Sequence, residues 1–321
     1  MTHIRSAVLI RCNISTDEWG GERMKIDGVF AGGGVKALSF VGALEVLERH
    51  GFRFERTAGT SAGAVVATLI QANYTSRELK EIGMSLESSD IMNETWLNTY
   101  LPWVAWFSVY WRLGLYKGDV FERWIKGLLQ RKNIYSFADI KKGSLKIVAS
   151  DITEGSIIVF PDDLPKYGYT EETFPIAKAV TMSCMIPYFF QPVKFCHFQK
   201  KKEPHLVVDG GLLSNFPMWL FKGHQKKKEK RPILGFQLTP SIFEQEKKKI
   251  KNALDLYQSL FHTMRNAYDL RYISKYHAKD IVFLPVDQVK TTSFDLSQKD
   301  RELLIQIGKT YTEDFLKEWT Y

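Results

Sequence analysis

Apolar positions along the chain follow two periods, one typical of buried strands and one typical of helices. Short apolar runs at residues 25–31 and 52–58 predict two strands. The segment between them ends at Gly51, as a helix would, and has apolar residues at helical spacing, namely Ala37, Phe40, Val41, Leu44 and Leu47. Residues 62–72 carry small apolar side chains on nearly every face, which predicts a second helix buried against a sheet. This order of elements favours a parallel α/β sheet. Right-handed crossover connections would put the turns after the first two strands, at Gly32 and Ser61, on the same carboxyl edge of that sheet.

The rest of the pattern extends that sheet. Further strands are predicted at residues 145–150, 156–160, 205–208, 232–238 and 281–286. Helices are predicted at residues 176–182 and 250–272, and a last helix from about Ser297, with Asp300 completing an acidic variant of a capping box. Residues 75–140 are interpreted as helices and loops inserted beside the sheet. Without an internal repeat or a linker-like composition, we predict one domain over residues 24–321, preceded by a loosely held extension over residues 1–23.

Composition narrows the class of protein. The 321 residues are 45% hydrophobic and 25% charged, which is typical of a soluble globular protein and excludes disordered and fibrous classes. The net charge of +8 indicates an anionic partner, for which we expect a phospholipid surface rather than nucleic acid. The sequence does not indicate the oligomeric state of the protein.

The cysteines and the apolar runs bear on location. Cys12, Cys184 and Cys196 have no C-x-x-C spacing and favour a reducing compartment. The apolar run at residues 7–10 is too short for a signal peptide, and no run is long enough to span a membrane. We therefore expect a cytoplasmic protein, with peripheral membrane contact as the weaker expectation.

Aromatic residues concentrate in the predicted insert. Five of the eight tryptophans lie between Trp96 and Trp124. This density suits a lid or a surface that meets lipid, because amphipathic rings tolerate the headgroup boundary. The same rings could instead pack the core of the insert, which is the commoner role of aromatic side chains. The sequence leaves both alternatives open.

One serine stands where a sharp turn from a strand to a helix is predicted. The motif Gly59-Thr60-Ser61-Ala62-Gly63 places its hydroxyl between two glycines, where larger side chains would clash with the neighbouring backbone. The helix that follows directs its first amides and the positive end of its dipole to the same place. The motif is typical of a nucleophile, although a glycine-rich turn without chemistry has the same letters.

A serine nucleophile needs a base that accepts its proton. Several later histidines are candidates by chain order, although none sits at an evident strand-end turn: His197, His205, His224, His262 and His277. Asp209 is the stronger candidate, because it ends an apolar strand and precedes Gly210 at what we interpret as another carboxyl-edge turn. A carboxylate can act as the base directly where burial makes it basic enough.

A glycine loop formed by Gly32, Gly33 and Gly34 lies between the first strand and the helix that follows it. Beside the nucleophile and its base, this loop offers the third part of such a site, backbone amides that stabilise an oxyanion. Amides with no Cβ in the way suit an oxyanion hole, and Lys36 adds a positive charge nearby. With Ala37 in third place the loop also fits a dinucleotide fingerprint, for which Glu55 lies near the required distance. A dinucleotide site has no use for a G-x-S-x-G motif or for the turn at Asp209, so the oxyanion hole is favoured.

Three motifs together resemble those of the patatin-like phospholipases in order and separation: Gly32-Gly33-Gly34-Val35-Lys36, Gly59-Thr60-Ser61-Ala62-Gly63 and Asp209-Gly210-Gly211. Residues 150–155, a Ser-x-x-x-Pro segment that contains Ser183 and Pro187, and residues 215–217 extend the resemblance over residues 24–321. Ala37 departs from the glycine that the family often has there, and its methyl group could crowd the loop.

The resemblance implies a three-layer α/β/α fold with a mainly parallel central sheet, in a single domain with a helical, aromatic-rich insert. It implies Ser61 as nucleophile and Asp209 as its partner in a Ser-Asp dyad without histidine. The oxyanion hole would come from the loop of Gly32, Gly33 and Gly34, and supporting positions would be Lys36, Gly59, Gly63 and Gly210.

The implied activity is hydrolysis of fatty acyl esters in phospholipids or other lipids, with no cofactor and no metal. The insert lies where such families vary most, so the substrate is not inherited with the fold. Two alternatives remain at this point, a non-catalytic lipid-binding protein of the same fold and a dinucleotide-binding oxidoreductase.

Overall fold

The computed structural model describes residues 24–92, 110–199, 203–221, 231–239, 278–287 and 296–320, with six isolated positions between 250 and 289. The extension predicted over residues 1–23 and nearly all of the helix predicted at residues 250–272 lie outside the described residues.

The described strands form an eight-stranded sheet and a separate two-stranded sheet. They are β1 (Met24–Phe30), β2 (Phe52–Thr60), β3 (Gly114–Tyr116), β4 (Leu145–Asp151), β5 (Ser156–Phe160), β6 (Tyr188–Phe190), β7 (Val193–Phe195), β8 (His205–Asp209), β9 (Ile233–Thr239) and β10 (Ile281–Pro285). The large sheet has the order β10-β9-β1-β2-β4-β8-β7, and β5 also pairs with β4. Strands β10, β9, β1, β2 and β4 run parallel, as predicted, whereas β3 and β6 form the small sheet.

Six α-helices have both ends within the described ranges: α1 (Leu38–Arg49), α2 (Ala62–Gln71), α3 (Ser76–Ser85), α4 (Asp119–Gln130), α5 (Ile176–Cys184) and α6 (Gln298–Glu318). The predicted cap of the last helix is confirmed, since the Ser297 hydroxyl accepts a hydrogen bond from the Asp300 amide at 3.1 Å. Helix α5 continues two residues beyond its predicted end at residue 182, so Ser183 lies in its last turn.

The main core lies on one face of the sheet. Phe30 of β1, Phe40 of α1 and Phe236 of β9 meet there, with the Phe30 and Phe236 rings stacked at 4.9 Å. Helix α1 packs against α6 so closely that a Cβ on Gly42 or Gly308 would contact the backbone of the other helix. A smaller cluster of Phe216, Met218 and Phe221 covers β1 on the opposite face, because successive side chains of a strand point to opposite sides.

The direction of β8 corrects one expectation. We interpreted the turn at Asp209 as another carboxyl-edge turn, like those after β1 and β2, but β8 runs antiparallel to β4. Strand β2 pairs with β4 as far as Thr60 opposite Val148, and β8 pairs with β4 from Asp209 opposite Ala149 onward. Strand β5 occupies the other edge of this part of β4. Strands β2 and β8 therefore approach one point from opposite directions, which brings their ends, Thr60 and Asp209, together.

Candidate active site

Ser61 lies on a strained turn between β2 and α2. Its φ of 55° and ψ of −130° form a conformation that residues with side chains rarely adopt, and only 8% of the residue is exposed. A Cβ on Gly59 would contact the backbone of Gly63, and a Cβ on Gly63 would contact the Phe30 carbonyl. The motif therefore needs both glycines, because the turn presses β1, β2 and α2 against one another.

A side chain from α5 holds this turn. The Ser61 amide donates a hydrogen bond to the Ser183 hydroxyl oxygen at 2.9 Å, and the Ser183 hydroxyl donates to the Val148 carbonyl at 2.6 Å. Ser183 is completely buried. It therefore links the strained turn to β4 and keeps the backbone amide of Ser61 engaged. Sequence reasoning noted Ser183 as part of a motif but gave it no role.

The glycine loop lies directly beside the serine. A Cβ on Gly32 would come within 3.1 Å of the Ser61 Cβ, and Gly34 has a φ of +58°, which favours glycine. The Gly32 amide donates to the Asn215 carbonyl at 3.2 Å, so this amide anchors the loop. Residues Gly34–Ala37 form a 3₁₀ helix, in which Ala37 is buried and lines an apolar cavity beside Ser61. The methyl group of Ala37 therefore narrows that cavity.

Asp209 is held on the other side of the same point. It is 3% exposed, its Oδ1 accepts a hydrogen bond from the Gly211 amide at 2.7 Å, and its own amide donates to the Met185 carbonyl at 2.8 Å. The next residue, Gly210, is so close to β4 that a Cβ there would contact the Val148 carbonyl. These bonds fix the carboxylate at the end of β8.

Further contacts join this turn to the serine turn. The Thr60 hydroxyl donates to the Ser214 carbonyl at 2.9 Å, and a Cβ on Gly210 would lie 2.9 Å from the Thr60 methyl group.

The negative charge of Asp209 also acts on a neighbouring thiol, that of Cys184. Burial, and secondarily this charge, raise the pKa of Cys184, so its thiol stays protonated.

An apolar cavity of about 160 Å³ adjoins Ser61. One face of α2 lines it with residues at helical spacing, namely Ala62, Val65, Val66 and Leu69. Helices α1, α3 and α4 supply other walls through Leu38, Val41, Leu79, Ile82, Phe121 and Trp124. The nucleophile candidate thus lies at the wall of a cavity suited to an apolar group.

One charged residue, Arg301 of α6, also lines this cavity and is 8% exposed. Its guanidinium donates to the carbonyls of Gly83 at 2.7 Å, Met84 at 3.1 Å and Leu86 at 2.6 Å. These carbonyls lie at the C-terminal end of α3, where a positive charge complements the helix dipole. Arg301 therefore fastens α3, a wall of the cavity, to α6.

The histidine candidates do not approach Ser61 in the described part of the chain. His205 begins β8, four residues from Asp209, which is about 13 Å along a strand. Its Nδ1 lies 2.7 Å from Asp151 Oδ2, and His197 packs against Gly168. The other three, His224, His262 and His277, lie outside the described residues.

Asp151, Glu154 and His205 bring their ligand atoms within 4.8 Å of one another and could hold a divalent cation. The buried Asp151 carboxylate is already bonded, however, to His205, to the Tyr167 hydroxyl at 3.3 Å and to the Thr153 amide at 2.8 Å. Burial and the charge of Asp151 raise the pKa of Tyr167. His205 and Asp209 stand at opposite ends of β8, so the length of that strand separates this histidine from the turn at Asp209.

Comparison with known protein families matches residues 28–222 to the patatin-like phospholipases. The chain belongs to this family. At the level of the family, the chain is therefore a lipid hydrolase.

Glu55, on which the dinucleotide alternative depended, is instead paired with Lys141, and this hydrogen bond lowers the pKa of the Glu55 carboxyl.

Individual relatives support the same family and fold. The chain is 49% identical over 298 residues to the uncharacterized protein YqhO of Bacillus subtilis (strain 168), covering 93% of this chain and 100% of that protein. It is 27% identical over 218 residues to the probable lipid hydrolase 463L of Invertebrate iridescent virus 6, covering 63% and 66% of the two chains. The crystal structure of VipD from Legionella pneumophila matches with a TM-score of 0.53 and 13% identity, over 93% of this chain and 67% of that chain. This last likeness shows the fold alone.

The aromatic insert divides where the structure describes it. Residues 93–109 lie outside the described part of the chain. Beyond them, Trp124 lines the cavity and packs on Phe121 with ring centres 5.8 Å apart, whereas Trp111 is 74% exposed. Among the described residues, no helix combines the length and the apolar character needed to cross a membrane.

Proposed function

We propose that this protein hydrolyses fatty acyl esters of lipids through a dyad of Ser61 and Asp209. The observation that carries the proposal is the strained Ser61 turn, which holds a serine at the wall of an apolar cavity. Strain of this kind persists only where the surrounding structure enforces it, and it is concentrated at functional sites. The β2 and β8 ends, which bring Thr60 and Asp209 together, support the choice of base.

In the first half of the reaction, Ser61 Oγ attacks the ester carbonyl carbon as Asp209 accepts the hydroxyl proton. The Gly33 and Gly34 amides stabilise the oxyanion, since the Gly32 amide is engaged by Asn215. The tetrahedral intermediate then collapses, and the leaving alcohol takes the proton from Asp209. The acyl group remains on Ser61.

In the second half, water attacks the acyl-enzyme, and Asp209 accepts a proton from it. Collapse of this second intermediate breaks the bond to Ser61 Oγ, which recovers the proton from Asp209. A free fatty acid leaves. The Gly211 amide bonded to Asp209 Oδ1 orients the carboxylate through both halves.

The cavity suggests the class of acyl group. Its α2 wall extends from Ser61 to Leu69, which is eight residues or about 12 Å of helix. An extended alkyl chain advances about 1.3 Å per carbon, because bonds near 1.5 Å zigzag. This wall therefore accommodates about nine carbons, and we expect medium-chain acyl groups to fit it fully.

The experiment compares wild type, Ser61→Ala and Asp209→Asn in hydrolysis of p-nitrophenyl octanoate and in labelling by a fluorophosphonate. We expect Ser61→Ala to abolish both and Asp209→Asn to lower turnover nearly as far, with the fold checked by circular dichroism. His205→Ala is the matched control and should stay active, because His205 is remote from Ser61. Turnover by Ser61→Ala at the wild-type rate would sink the proposal, and loss of activity in His205→Ala alone would refute the dyad.

Lipid mass spectrometry of products from a mixed phospholipid and neutral-lipid panel, with Ser61→Ala as blank, identifies the ester that is cleaved. A wild-type protein that binds lipid but neither reacts with the fluorophosphonate nor releases fatty acid would instead support the non-catalytic lipid-binding alternative.

A further inference from the structure

Four large apolar side chains are exposed together, three where the described part of the insert resumes at residue 110 and one at the start of β6. Their exposed fractions are 75% for Tyr110, 74% for Trp111, 46% for Leu113 and 41% for Tyr188. Tyr110 and Trp111 pack edge to face with ring centres 5.3 Å apart. Tyr188 joins them through the small sheet, where it pairs with Gly114, the residue after Leu113. We call these four residues the aromatic rim.

The aromatic rim borders the cavity at Ser61. Ile186 and Phe190 both line the cavity, and Tyr188 lies between them in the chain. Phe190 is 2% exposed and pairs with Tyr116 in the same small sheet. One short segment therefore supplies the cavity wall and part of the exposed surface. A group that leaves the cavity on this side meets the aromatic rim.

Two residues of the aromatic rim have strained backbone conformations. Leu113 has a φ of +61° and Tyr188 a φ of +65°, values that bulky residues avoid. The two strands approach so closely that a Cβ on Gly114 would contact the Phe190 backbone. Strand pairing thus holds the strained residues in place, with Leu113 and Tyr188 partly in solvent.

Basic residues accompany the aromatic rim. Arg112 and Lys117 are both exposed, on either side of Leu113 and β3. Within the described residues 110–119, the one acidic residue is Asp119, which is also exposed. The whole chain carries a net charge of +8. Exposed tryptophan and tyrosine side chains suit the headgroup boundary of a bilayer, and adjacent lysine or arginine favours anionic lipids.

We propose that the aromatic rim is the surface by which this protein docks on an anionic phospholipid bilayer. The rings enter the headgroup region, Arg112 and Lys117 meet lipid phosphates, and an acyl chain passes from the bilayer into the cavity beside the aromatic rim. The proposal rests on the proposed function for its lipid substrate. Docking itself is measured without catalysis, so the two can fail separately.

The test is cosedimentation with vesicles of phosphatidylcholine and phosphatidylglycerol in equal parts. The double variant Tyr110→Ser/Trp111→Ser should bind these vesicles at least about tenfold more weakly than wild type. The matched control is Tyr135→Ser/Phe198→Ser, which removes two aromatic residues that are 55% and 61% exposed elsewhere on the surface and should bind as wild type does. Equal binding by the two double variants would overturn the proposal.

Two further measurements separate the remaining outcomes. Wild type should bind mixed vesicles more tightly than pure phosphatidylcholine vesicles, and equal binding to both would overturn the anionic preference. Light scattering should show the same mass for wild type and the rim variant; a dimer that this variant dissociates would assign the aromatic rim to a second copy and overturn the proposal. If Ser61→Ala still hydrolyses esters, the proposed function fails while vesicle binding continues to test the docking surface.

Discussion

Replacing Ser183 with alanine tests whether the Ser61 turn depends on a side chain that is 122 residues away in sequence. The change removes the acceptor of the Ser61 amide, at 2.9 Å, and the donor to the Val148 carbonyl, at 2.6 Å. Both bonds are buried, so water cannot readily replace the lost hydroxyl. The oxygen removed makes no bond to substrate in the proposed reaction, and its effect acts through the position of Ser61.

The magnitude follows from the orphaned amide in the strained turn. A residue in such a conformation stores about 1–3 kcal/mol, and leaving a buried amide without an acceptor costs about 1–3 kcal/mol more. Relaxation of the turn removes both terms, so the active conformation loses population. The wild type already bears the strain, so the substitution adds only the amide cost of about 1–3 kcal/mol. Since about 1.4 kcal/mol corresponds to a factor of ten, we expect kcat to fall about 5- to 150-fold. KM should change little, because the cavity walls are untouched.

The assay is steady-state hydrolysis of p-nitrophenyl butyrate, at a temperature where circular dichroism shows each variant folded. Thr181→Val is the matched control: this hydroxyl, also buried in α5, donates to the Ala177 carbonyl within the helix at 2.8 Å, so kcat should be retained. Ser183→Cys, which keeps a weak donor and acceptor, should recover part of the loss. A folded Ser183→Ala protein with wild-type kcat would refute the reasoning.

Two other predictions concern the cavity and a helix cap. Val65→Phe should narrow the cavity at its α2 wall and lower kcat/KM for p-nitrophenyl decanoate about tenfold relative to kcat/KM for p-nitrophenyl butyrate. Ile70 does not line the cavity, so Ile70→Phe should leave this ratio as it is in wild type. The same ratio in both variants would contradict the acyl site. The Lys132 ammonium and the Thr75 amide lower the pKa of Glu78 to about 2, so the carboxylate stabilises the fold above the usual glutamate pKa and loses this effect as the pH falls toward 2. Thermal unfolding of Glu78→Gln should show a deficit of about 1 kcal/mol or less at neutral pH that shrinks toward acid pH, and a deficit independent of pH would exclude the charge as its cause.

Local patterns were sufficient for much of the fold. Strands β1, β2, β4, β5, β9 and β10 lie within two residues of their predicted bounds, because short apolar runs ended by glycine or polar turns specify strands without distant contacts. The glycine loop and the Ser61 turn were expected on one edge of the sheet, and parallel pairing of β1 with β2 brings them there.

The sequence by itself determined the elements around Ser61 and the family motifs, since glycine spacing and apolar period are written in neighbouring residues. Only the tertiary structure decided what surrounds that serine. The antiparallel direction of β8 depends on its pairing with β4, where Asp209 lies opposite Ala149, 60 residues earlier in the chain. The bond from Ser61 to Ser183 joins residues 122 positions apart. The cavity likewise needs walls from several helices, and the aromatic rim needs β3 to meet β6. Such contacts leave no periodic signal in the chain, because each is set by how whole elements pack.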